Sequence, residues 1–331
     1  MRGTVSKLIF IDSSVNTDGR DHTKVLVPAH PFSASAGERM ALSLVSFSMR
    51  RNWYNINGTN STFYLFVQNA YYEVVIEAGV YSTFATADGL AAAINAAMTT
   101  TIATVAQIAS CATTYDGITR KLAISFTMAA GHTSTEVQIR CFAVKSGTLP
   151  NGVSLVGGFN DSYEILGAKP IRSTAAAVGG MVQAASNTLV SEYPASLNSL
   201  DAIYLHMNTV ETGNFMSTGF ESHATDSLRL IESSIFARIP FDDSSFTEAH
   251  EVVSFEDSGG DMYQSFLSRN SIDTLDIRVT DARGRSLSQL DPSQAQNGLM
   301  GFRMCLRWDL FVPPPAPQPR SQVKMSHPPT V

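Results

Sequence analysis

The sequence predicts a mainly β protein that carries one partly helical insertion. Short apolar runs rich in β-branched and aromatic residues fill most of the first 76 positions and return from about residue 196. A single stretch, residues 83–98, has the apolar spacing of an amphipathic helix. Between about 111 and 195 the strand-like runs alternate with glycine-rich stretches, which is typical of an elaborated insertion. With 331 residues, the chain has room for one large β domain or for two domains.

The strands before the insertion are predicted from alternation with a period of two residues, which places every second side chain on one buried face. These runs cover residues 7–11, 24–28, 39–47, 62–67 and 71–76. The apolar stripe of the helix consists of Leu90, Ala93, Ile94, Ala97 and Met98. Ser82 or Thr86 is the candidate N-cap. The threonines from Thr99 onward are expected to end the helix, because β-branched side chains lose rotamer freedom in a helix.

The strands within and after the insertion are predicted in the same way. They cover residues 121–126, 136–144, 201–207, 234–241, 251–255, 271–280 and 300–311. For the run 234–241, alternation predicts two faces, one with Ile235, Ala237 and Ile239 and the other with Phe236, Arg238 and Pro240. The last 19 residues, 313–331, hold seven of the 14 prolines and no acidic residue. This tail is expected to be extended or disordered, and it either stays in solvent or reaches a neighbouring molecule.

Composition and charge exclude several classes of function. Charged residues make up only 16% of the chain, the net charge is −6, and no cluster of basic residues is larger than Arg50–Arg51, so no direct contact with nucleic acid is expected. No apolar run approaches the ~20 residues that a bilayer span needs. The three cysteines, Cys111, Cys141 and Cys305, are far apart, which predicts buried thiols in a reducing compartment.

Motifs of catalysis and cofactor binding were sought and are absent from the sequence. There is no Gly-Lys pair for a phosphate-binding loop, no G-x-G-x-x-G and no G-x-S-x-G. His250-Glu251 begins like the zinc motif H-E-x-x-H, but Ser254 stands where the second histidine is needed. The sequence therefore predicts a protein that is not an enzyme, with no catalytic, cofactor-binding or metal-binding residues.

Three further groups of residues allow two explanations each. The stretch 242–261 holds seven carboxylates and no Lys or Arg, so it could bind calcium or supply a glycosidase pair. Solvated loops, or a patch that pairs with a basic neighbour, explain it more simply. His206 lies in a predicted strand and is expected to be structural. The aromatic group of Trp53, Tyr54, Tyr71 and Tyr72 is either a sugar-stacking surface or, as is more common, part of a core or interface.

The order of several motifs resembles a known family of viral proteins. The carrying segments are residues 79–82 (GVYS), 90–95 (LAAAIN), 163–167 (YEILG), 200–206 (LDAIYLH), 234–241 (SIFARIPF), 272–281 (IDTLDIRVTD) with Gly284, and 302–311. In this order, across about residues 80–311, they resemble the penton, or minor capsid, proteins of virophages, Polinton-like viruses and related large double-stranded DNA viruses of the double-jelly-roll lineage. Ala168 departs from the family pattern, which has an aromatic residue there.

The resemblance implies a single eight-stranded antiparallel jelly roll, a sandwich of two sheets, with an inserted α+β subdomain. The first jelly-roll strands would lie in residues 1–70, the insertion with its helix at about 83–98 in residues 71–195, the remaining strands in 196–312, and the tail in 313–331. The insertion would follow the fourth predicted run. The implied function is a pentameric capsid protein that closes the fivefold vertices of an icosahedral shell.

The resemblance also implies partners and a location. The partners are four further copies of the chain and the neighbouring major and minor capsid proteins, and a host receptor that meets the insertion is left open. The protein would be made and assembled in the cytoplasm or viral factory of the host cell and reside at the capsid vertex of the virion. The alternatives are another minor capsid or cement protein with a jelly roll, a carbohydrate-binding or receptor-binding β-sandwich, and an enzyme that uses the acidic stretch.

Overall fold

The structure, a computed structural model, describes most of the chain. The described residues are 4–15, 21–27, 32–50, 53–132, 137–143, 148–149, 162–172, 179–185, 187–197, 200, 202–208, 215–219, 229–240, 252–257, 259, 262–267, 269–282, 284, 286–287 and 301–312. The predicted tail, 313–331, lies outside them, as does most of the acidic stretch. No helix in this described part is long and apolar enough to span a membrane.

The elements fall into three consecutive segments of the chain. The first segment contains β1 (Thr4–Asp12), β2 (His22–Leu26) and β3 (Arg39–Arg50). The middle segment contains β4 (Thr62–Val67), β5 (Ala70–Val75), α1 (Leu90–Ile102), β6 (Ile108–Asp116), β7 (Lys121–Met128), β8 (Val137–Arg140), α2 (Ser162–Leu166), β9 (Val182–Ala185) and β10 (Thr188–Val190). The last segment contains β11 (Ala202–Met207), β12 (Phe215–Gly219), β13 (Arg229–Ser233), β14 (Ile235–Pro240), β15 (Val252–Glu256), β16 (Gln264–Phe266), β17 (Thr274–Thr280) and β18 (Phe302–Phe311).

The first and last segments together form two antiparallel sheets. The first sheet has the order β1-β18-β3-β15, and β16 pairs with β3 on the same side as β15. The second sheet has the order β2-β17-β11-β14. In the first sheet, strands from the start of the chain alternate with strands from its end, and in the second sheet β2 pairs with β17, which is followed by β11 and β14. Antiparallel sheets that join the two ends of a chain are typical of a jelly roll. The predicted fold class, mainly β with antiparallel sheets stacked in a sandwich, is confirmed.

The two sheets of the sandwich enclose one apolar core. Its members come from both sheets and include Leu42 and Phe47 of β3, Leu205 of β11, Ile277 of β17 and Trp308 of β18. Alternate residues of these strands face inward because successive side chains of a strand point to opposite sides of the sheet. Each fully buried large side chain stabilises the fold by about 1.5–3 kcal/mol relative to an exposed one.

Strand β14 departs from strict alternation at one position. Ala237 and Ile239 are buried in the core and Arg238 and Pro240 are exposed, as predicted. Phe236 was expected on the outer face but is completely buried. The reason is a β-bulge, because Leu205 of β11 pairs with Ala237 whereas the next residue, His206, pairs with Ile235. A bulge inserts one extra residue into the strand and redirects its side chain.

The middle segment has a core of its own, which we call the insertion core. It is enclosed by the sheets β5-β4-β8 and β6-β7-β10-β9 and by the buried face of α1. All its members lie between Ile56 and Leu197, whereas the sandwich core uses residues up to Trp53 and again from Leu200. The chain therefore passes from the sandwich core to the insertion core before the predicted boundary at residue 70. The insertion follows the third strand of the sandwich.

A tight hairpin explains why β4 belongs to the insertion. Val67 of β4 pairs with Ala70 of β5, so only Gln68 and Asn69 form the loop. Both have positive φ angles, 46° and 67°, which is the geometry of a type I′ turn. Because such a turn holds the two strands side by side, β4 cannot join a sheet from which β5 is absent.

Helix α1 begins and ends later than the predicted range of 83–98. The backbone carbonyls of Thr83 and Phe84 accept the N–H groups of Leu90 and Ala91, so the preceding turns, and no side chain, cap the helix at Gly89. At the other end, the hydroxyl groups of Thr99 and Thr100 donate to carbonyls one turn earlier, at 2.7 and 3.1 Å. These bonds accommodate threonine inside a helix, and the buried side chain of Ile102 anchors the last turn.

Candidate assembly surfaces

The sandwich exposes apolar side chains along the side where its sheets end in β1 and β2. We call this side the β1–β2 edge and define it by Val5, Leu8, Phe10, Lys24 and Leu26. The exposed fractions of Phe10 and Leu26 are 77% and 83%, and Val5 and Leu8 are about half exposed. Large apolar residues that are exposed together are a signature of surfaces that become covered.

The local sequence of β1 places apolar residues on both faces of this strand. Ile9 and Ile11 pack against the sandwich core, and the alternate residues Leu8 and Phe10 point the other way. Phe10 and Leu26 line a common groove of about 460 Å³, with Lys24 beside them. Within the described residues, β1 pairs on one side only, with β18. Its other backbone edge is therefore available for contact.

The charge of Asp12, at the end of β1, is already balanced within the chain. Its carboxylate accepts the Nε–H of Arg303 at 2.9 Å and also a hydrogen bond from the Ser14 hydroxyl. The Ser14 bond and then Arg303 hold the pKa of Asp12 below its usual value. The ammonium groups at the β1–β2 edge belong to Lys24, which is exposed, and to Lys7, which is half-buried near the ring of Phe32.

The opposite side of the sandwich, where the sheets end in β14, β15 and β16, also exposes apolar groups. We call it the β14–β16 edge and define it by Arg238, Val252, Glu256 and Met262. The exposed fractions of Val252 and Met262 are 54% and 68%, and the Glu256 side chain is exposed at the other end of β15 from Val252. A hydrogen bond from the Tyr263 hydroxyl to the Arg238 carbonyl joins the two sheets here.

The outer face of the first sheet carries a buried polar network between these two edges. Asp309 of β18 is almost fully buried. It accepts hydrogen bonds from Ser6 at 2.6 Å, from Arg307 Nε at 2.9 Å and from Gln264 at 3.4 Å. The Arg307 guanidinium also donates to the Gly259 carbonyl. This network links β1, β18 and β16 and fixes the geometry of the sheet that carries both edges.

A polar cleft near the end of β1 does not resemble a hydrolytic site. It has a volume of about 360 Å³ and is lined by Asp12, Ser14, Ser48, Met49, Arg50, Val252, Gly301 and Arg303. Its one carboxylate is the Asp12 group bound to Arg303, so it lacks the carboxylate pair of a glycosidase. In the described part of the chain, no three His, Cys, Asp or Glu side chains are grouped as a metal site would require.

The residues of the predicted acidic stretch are only partly described. Glu256 is exposed at the end of β15. The Asp257 carboxylate accepts the backbone N–H groups of Gly259 and Met262, at 3.1 and 2.9 Å, and so shapes the turn before β16. The other five carboxylates, and His250, lie outside the described residues. Asp257 therefore has a structural role in this turn.

The predicted structural role of His206 is confirmed. Its Nδ1 lies 3.0 Å from the Ser234 hydroxyl and its Nε2 lies 3.0 Å from the Thr280 hydroxyl. Because Thr280 donates its own proton to the Asp281 carbonyl, we assign Nε2 as the protonated nitrogen and Nδ1 as the acceptor. Burial, and then the nearby charge of Arg278, lower the pKa of His206 to about 4. The ring is therefore neutral at pH 7.

The aromatic residues considered for sugar stacking are mainly core residues. Trp53 is buried in the sandwich core, and Tyr71 is buried in a small cluster with Tyr64 and Phe142. The Arg140 guanidinium lies 3.7 Å from the centre of the Phe66 ring and donates to the Tyr71 hydroxyl. The core explanation is thus confirmed for Trp53 and Tyr71, which do not present a stacking face.

The predicted burial of the thiols holds for two of the three cysteines. Cys141 and Cys305 are buried, and Cys111 is half-buried. Burial raises the pKa of the Cys141 thiol to about 12. None of the three forms a disulfide.

Sequence reasoning did not identify the exposed residues Phe10, Leu26 and Met262 as a surface. The run 7–11 contains apolar residues at four successive positions, so it has no polar face. That continuity was the available signal, because a strand that is apolar on both faces is covered on both faces in the working assembly. Met262 gave no signal, since its exposure depends on the turn that Asp257 shapes.

Comparisons with known proteins find likeness at the level of structure. No protein-family model matches the sequence, and no curated protein sequence matches it. The chain is similar to the mavirus penton protein, with a TM-score of 0.46 and 10% identity over 94% of this chain and 100% of that chain. It is also similar to a chain of the Sputnik virophage structure determined by cryo-EM, with a TM-score of 0.38 and 15% identity over 93% of this chain and 97% of that chain.

Proposed function

We propose that this chain is a structural subunit of an icosahedral viral capsid and that five copies form a ring at each fivefold vertex. The observation that carries the proposal is the jelly-roll order of the two sheets, whose outer strands expose apolar side chains and, among the described residues, pair with no further strand. A subunit with two uncovered sides suits a closed ring, because each copy meets one neighbour on each side. The motifs that resemble virophage penton proteins support the same function.

The remaining parts of the proposal concern neighbours and location. The base of the ring would contact major and minor capsid proteins, and the insertion would form an outer cap that is available to a host receptor. The protein would act without catalytic groups, would not bind nucleic acid directly, and would reside in the virion after assembly in the host cell. The burial of Trp53 and Tyr71 weighs against the alternative of a sugar-binding module built on these aromatics.

The mass of the purified chain in solution tests this function. Native mass spectrometry and negative-stain microscopy are expected to find rings with five times the mass of the 35.7 kDa chain. A monomer at every concentration and ionic strength would contradict the vertex function. A trimer or hexamer would instead favour another capsid component, such as a cement protein.

A further inference from the structure

The β1–β2 edge has the physical character of a surface that is covered in the working protein. An edge strand of nine residues presents a row of unpaired backbone groups, and natural proteins protect such edges with charges, prolines or bulges. In β1 the outward positions are instead occupied by Leu8 and Phe10. Leu26 of β2 extends the same apolar surface across the groove. Left uncovered, this side would promote irregular aggregation.

The β14–β16 edge matches this surface in polarity and offers a carboxylate to it. It exposes the apolar side chains of Val252 and Met262. Its exposed charges are Glu256, which has the sign opposite to that of Lys24, and Arg238, whose Nε–H donates to the Tyr204 hydroxyl. Pairing of the β1–β2 edge with a copy of itself would bring Lys24 side chains together, and like charges at an interface disfavour association. The charges thus favour contact between unlike edges of two copies.

The positions of the two edges decide the symmetry of such a contact. They lie at opposite ends of both sheets, because β1 and β15 end the first sheet and β2 and β14 end the second. A contact between two different surfaces of identical chains is head-to-tail, and it forms a ring when repetition of its rotation returns to the first copy. A contact between two identical surfaces would stop at a dimer.

We propose that the β1–β2 edge of one copy docks against the β14–β16 edge of the next, with Phe10 and Leu26 covered by the surface around Val252 and Met262. The inference rests on the proposed ring and identifies the surfaces that build it. Lys24 faces the carboxylate side of the neighbour in this arrangement and sets the direction of assembly.

Two substitutions, one on each edge, test the docking. Both Phe10→Asp and Met262→Asp replace exposed side chains, so each variant is expected to keep the wild-type circular dichroism spectrum and a cooperative thermal transition. Each is expected to be monomeric by native mass spectrometry, because an aspartate in the contact is desolvated without a partner. The matched control is Ile118→Asp, which changes an apolar residue that is 94% exposed on the insertion. This control is expected to keep the wild-type ring.

A mixture of the two variants tests whether the contact is head-to-tail. Phe10→Asp keeps an intact β14–β16 edge, and Met262→Asp keeps an intact β1–β2 edge. A mixture at concentrations well above those at which the wild-type ring forms is therefore expected to give a dimer with one copy of each variant, and no larger species. Absence of this mixed dimer would overturn the pairing of unlike edges.

The outcomes separate this inference from the proposed function. A wild-type chain that forms rings, together with a Phe10→Asp or Met262→Asp variant that still forms them, would overturn the inference and leave the ring intact. A wild-type chain that never assembles would remove the ring and, with it, the contact proposed to build it.

Discussion

The sandwich core and the insertion core differ in how the chain reaches them. The insertion core is built from one continuous segment, between Ile56 and Leu197. The sandwich core joins the two ends of the chain, and one of its ladders pairs β1 with β18, so that Thr4 lies opposite Phe311. Contacts between residues that are far apart in sequence require closure of a long loop, whereas contacts within one segment do not. We therefore expect two units of stability, of which the insertion can form first.

Strands β3 and β11 flank the insertion and connect it to the sandwich. Both lie inside the sandwich sheets, β3 between β18 and β15, and β11 between β17 and β14. A folded insertion brings the end of β3 and the start of β11 within reach of one compact body and so limits the entropy of the long connection. The comparison predicts that damage to one core leaves the other folded.

The largest expected effect comes from a charge placed in either core. In the sandwich, Ile239→Asp buries an unpaired carboxylate at a position with an exposed fraction of 1% and is expected to cost about 4 kcal/mol or more. Hydrogen-exchange mass spectrometry should then find lost protection in β11, β14 and β17 and retained protection in residues 56–132. The reciprocal variant Ile124→Asp, in β7 of the insertion core, is expected to reverse the pattern. If either variant lost protection from hydrogen exchange equally in both regions, the two cores would be one cooperative unit.

A glycine in the insertion gives the next largest effect. Gly167 follows α2 with a φ angle of +61°, and a Cβ atom there would lie 2.1 Å from the Tyr193 carbonyl oxygen. Gly167→Ala is therefore expected to destabilise the insertion by about 3 kcal/mol, since both the backbone angle and the close approach of residue 193 must change.

Gly117 offers a matched control for Gly167 in the same region. No atom lies within 4 Å of a Cβ built on Gly117, which stands in the turn between β6 and β7. Urea denaturation followed by hydrogen exchange should locate the Gly167→Ala loss in the insertion and find Gly117→Ala close to wild type. Equal effects of the two substitutions would contradict the steric argument.

The neutral His206 ring is expected to make the sandwich, but not the insertion, sensitive to mild acid. Its pKa is about 4 in the folded chain and about 6.5 when unfolded, so below pH 6.5 the unfolded state binds a proton that the folded state does not. The stability that this group contributes is present above pH 6.5 and declines as the pH falls toward 4. At pH 4.5 the decline is about 2 kcal/mol, since the partly exposed ring is also screened by solvent.

The variant His206→Asn isolates this effect, because the carboxylates titrate alike in both proteins. Unfolding free energies from urea denaturation at pH 7 and 4.5 should decline more in the wild type than in the variant. Hydrogen exchange should place the difference in β11, β14 and β17. Equal declines in the two proteins would show that the ring does not titrate between these pH values.

The strands that alternate strongly were predictable from sequence, and those set by tertiary contacts were not. Residues 271–280 and 300–311 have β-branched and apolar residues at every second position, and both contain observed strands, β17 and β18. By contrast, β6 was missed. Most of the side chains of β6 are exposed or half-buried. Its position is therefore set by the packing of α1 and not by its own residue pattern.

Phe236 and β4 illustrate two other limits of sequence reasoning. The residues around Phe236 do not predict the bulge that buries its side chain, because the bulge depends on the register between β11 and β14. The Gln68-Asn69 turn lacks the glycine that marks most type I′ turns, so the link between β4 and β5 was not recognised. The apolar run 7–11 was a signal that β1 has no polar face, but which strands end the sheets depends on the topology and could not be predicted.

The smallest expected effect comes from two buried hydroxyl groups, one in each region. Among the described residues, the Ser43 hydroxyl of β3 and the Thr113 hydroxyl of β6 have no hydrogen-bond partner. Removing an unsatisfied buried hydroxyl is stabilising, so Thr113→Val, which keeps the side-chain volume, should raise the unfolding free energy of the insertion by about 1 kcal/mol. Ser43→Ala should raise that of the sandwich by less, because it leaves a small void. Both changes are measured by urea denaturation, with hydrogen exchange to assign the region. A loss of stability in either variant would mean that the substituted hydroxyl group forms a hydrogen bond in the folded protein.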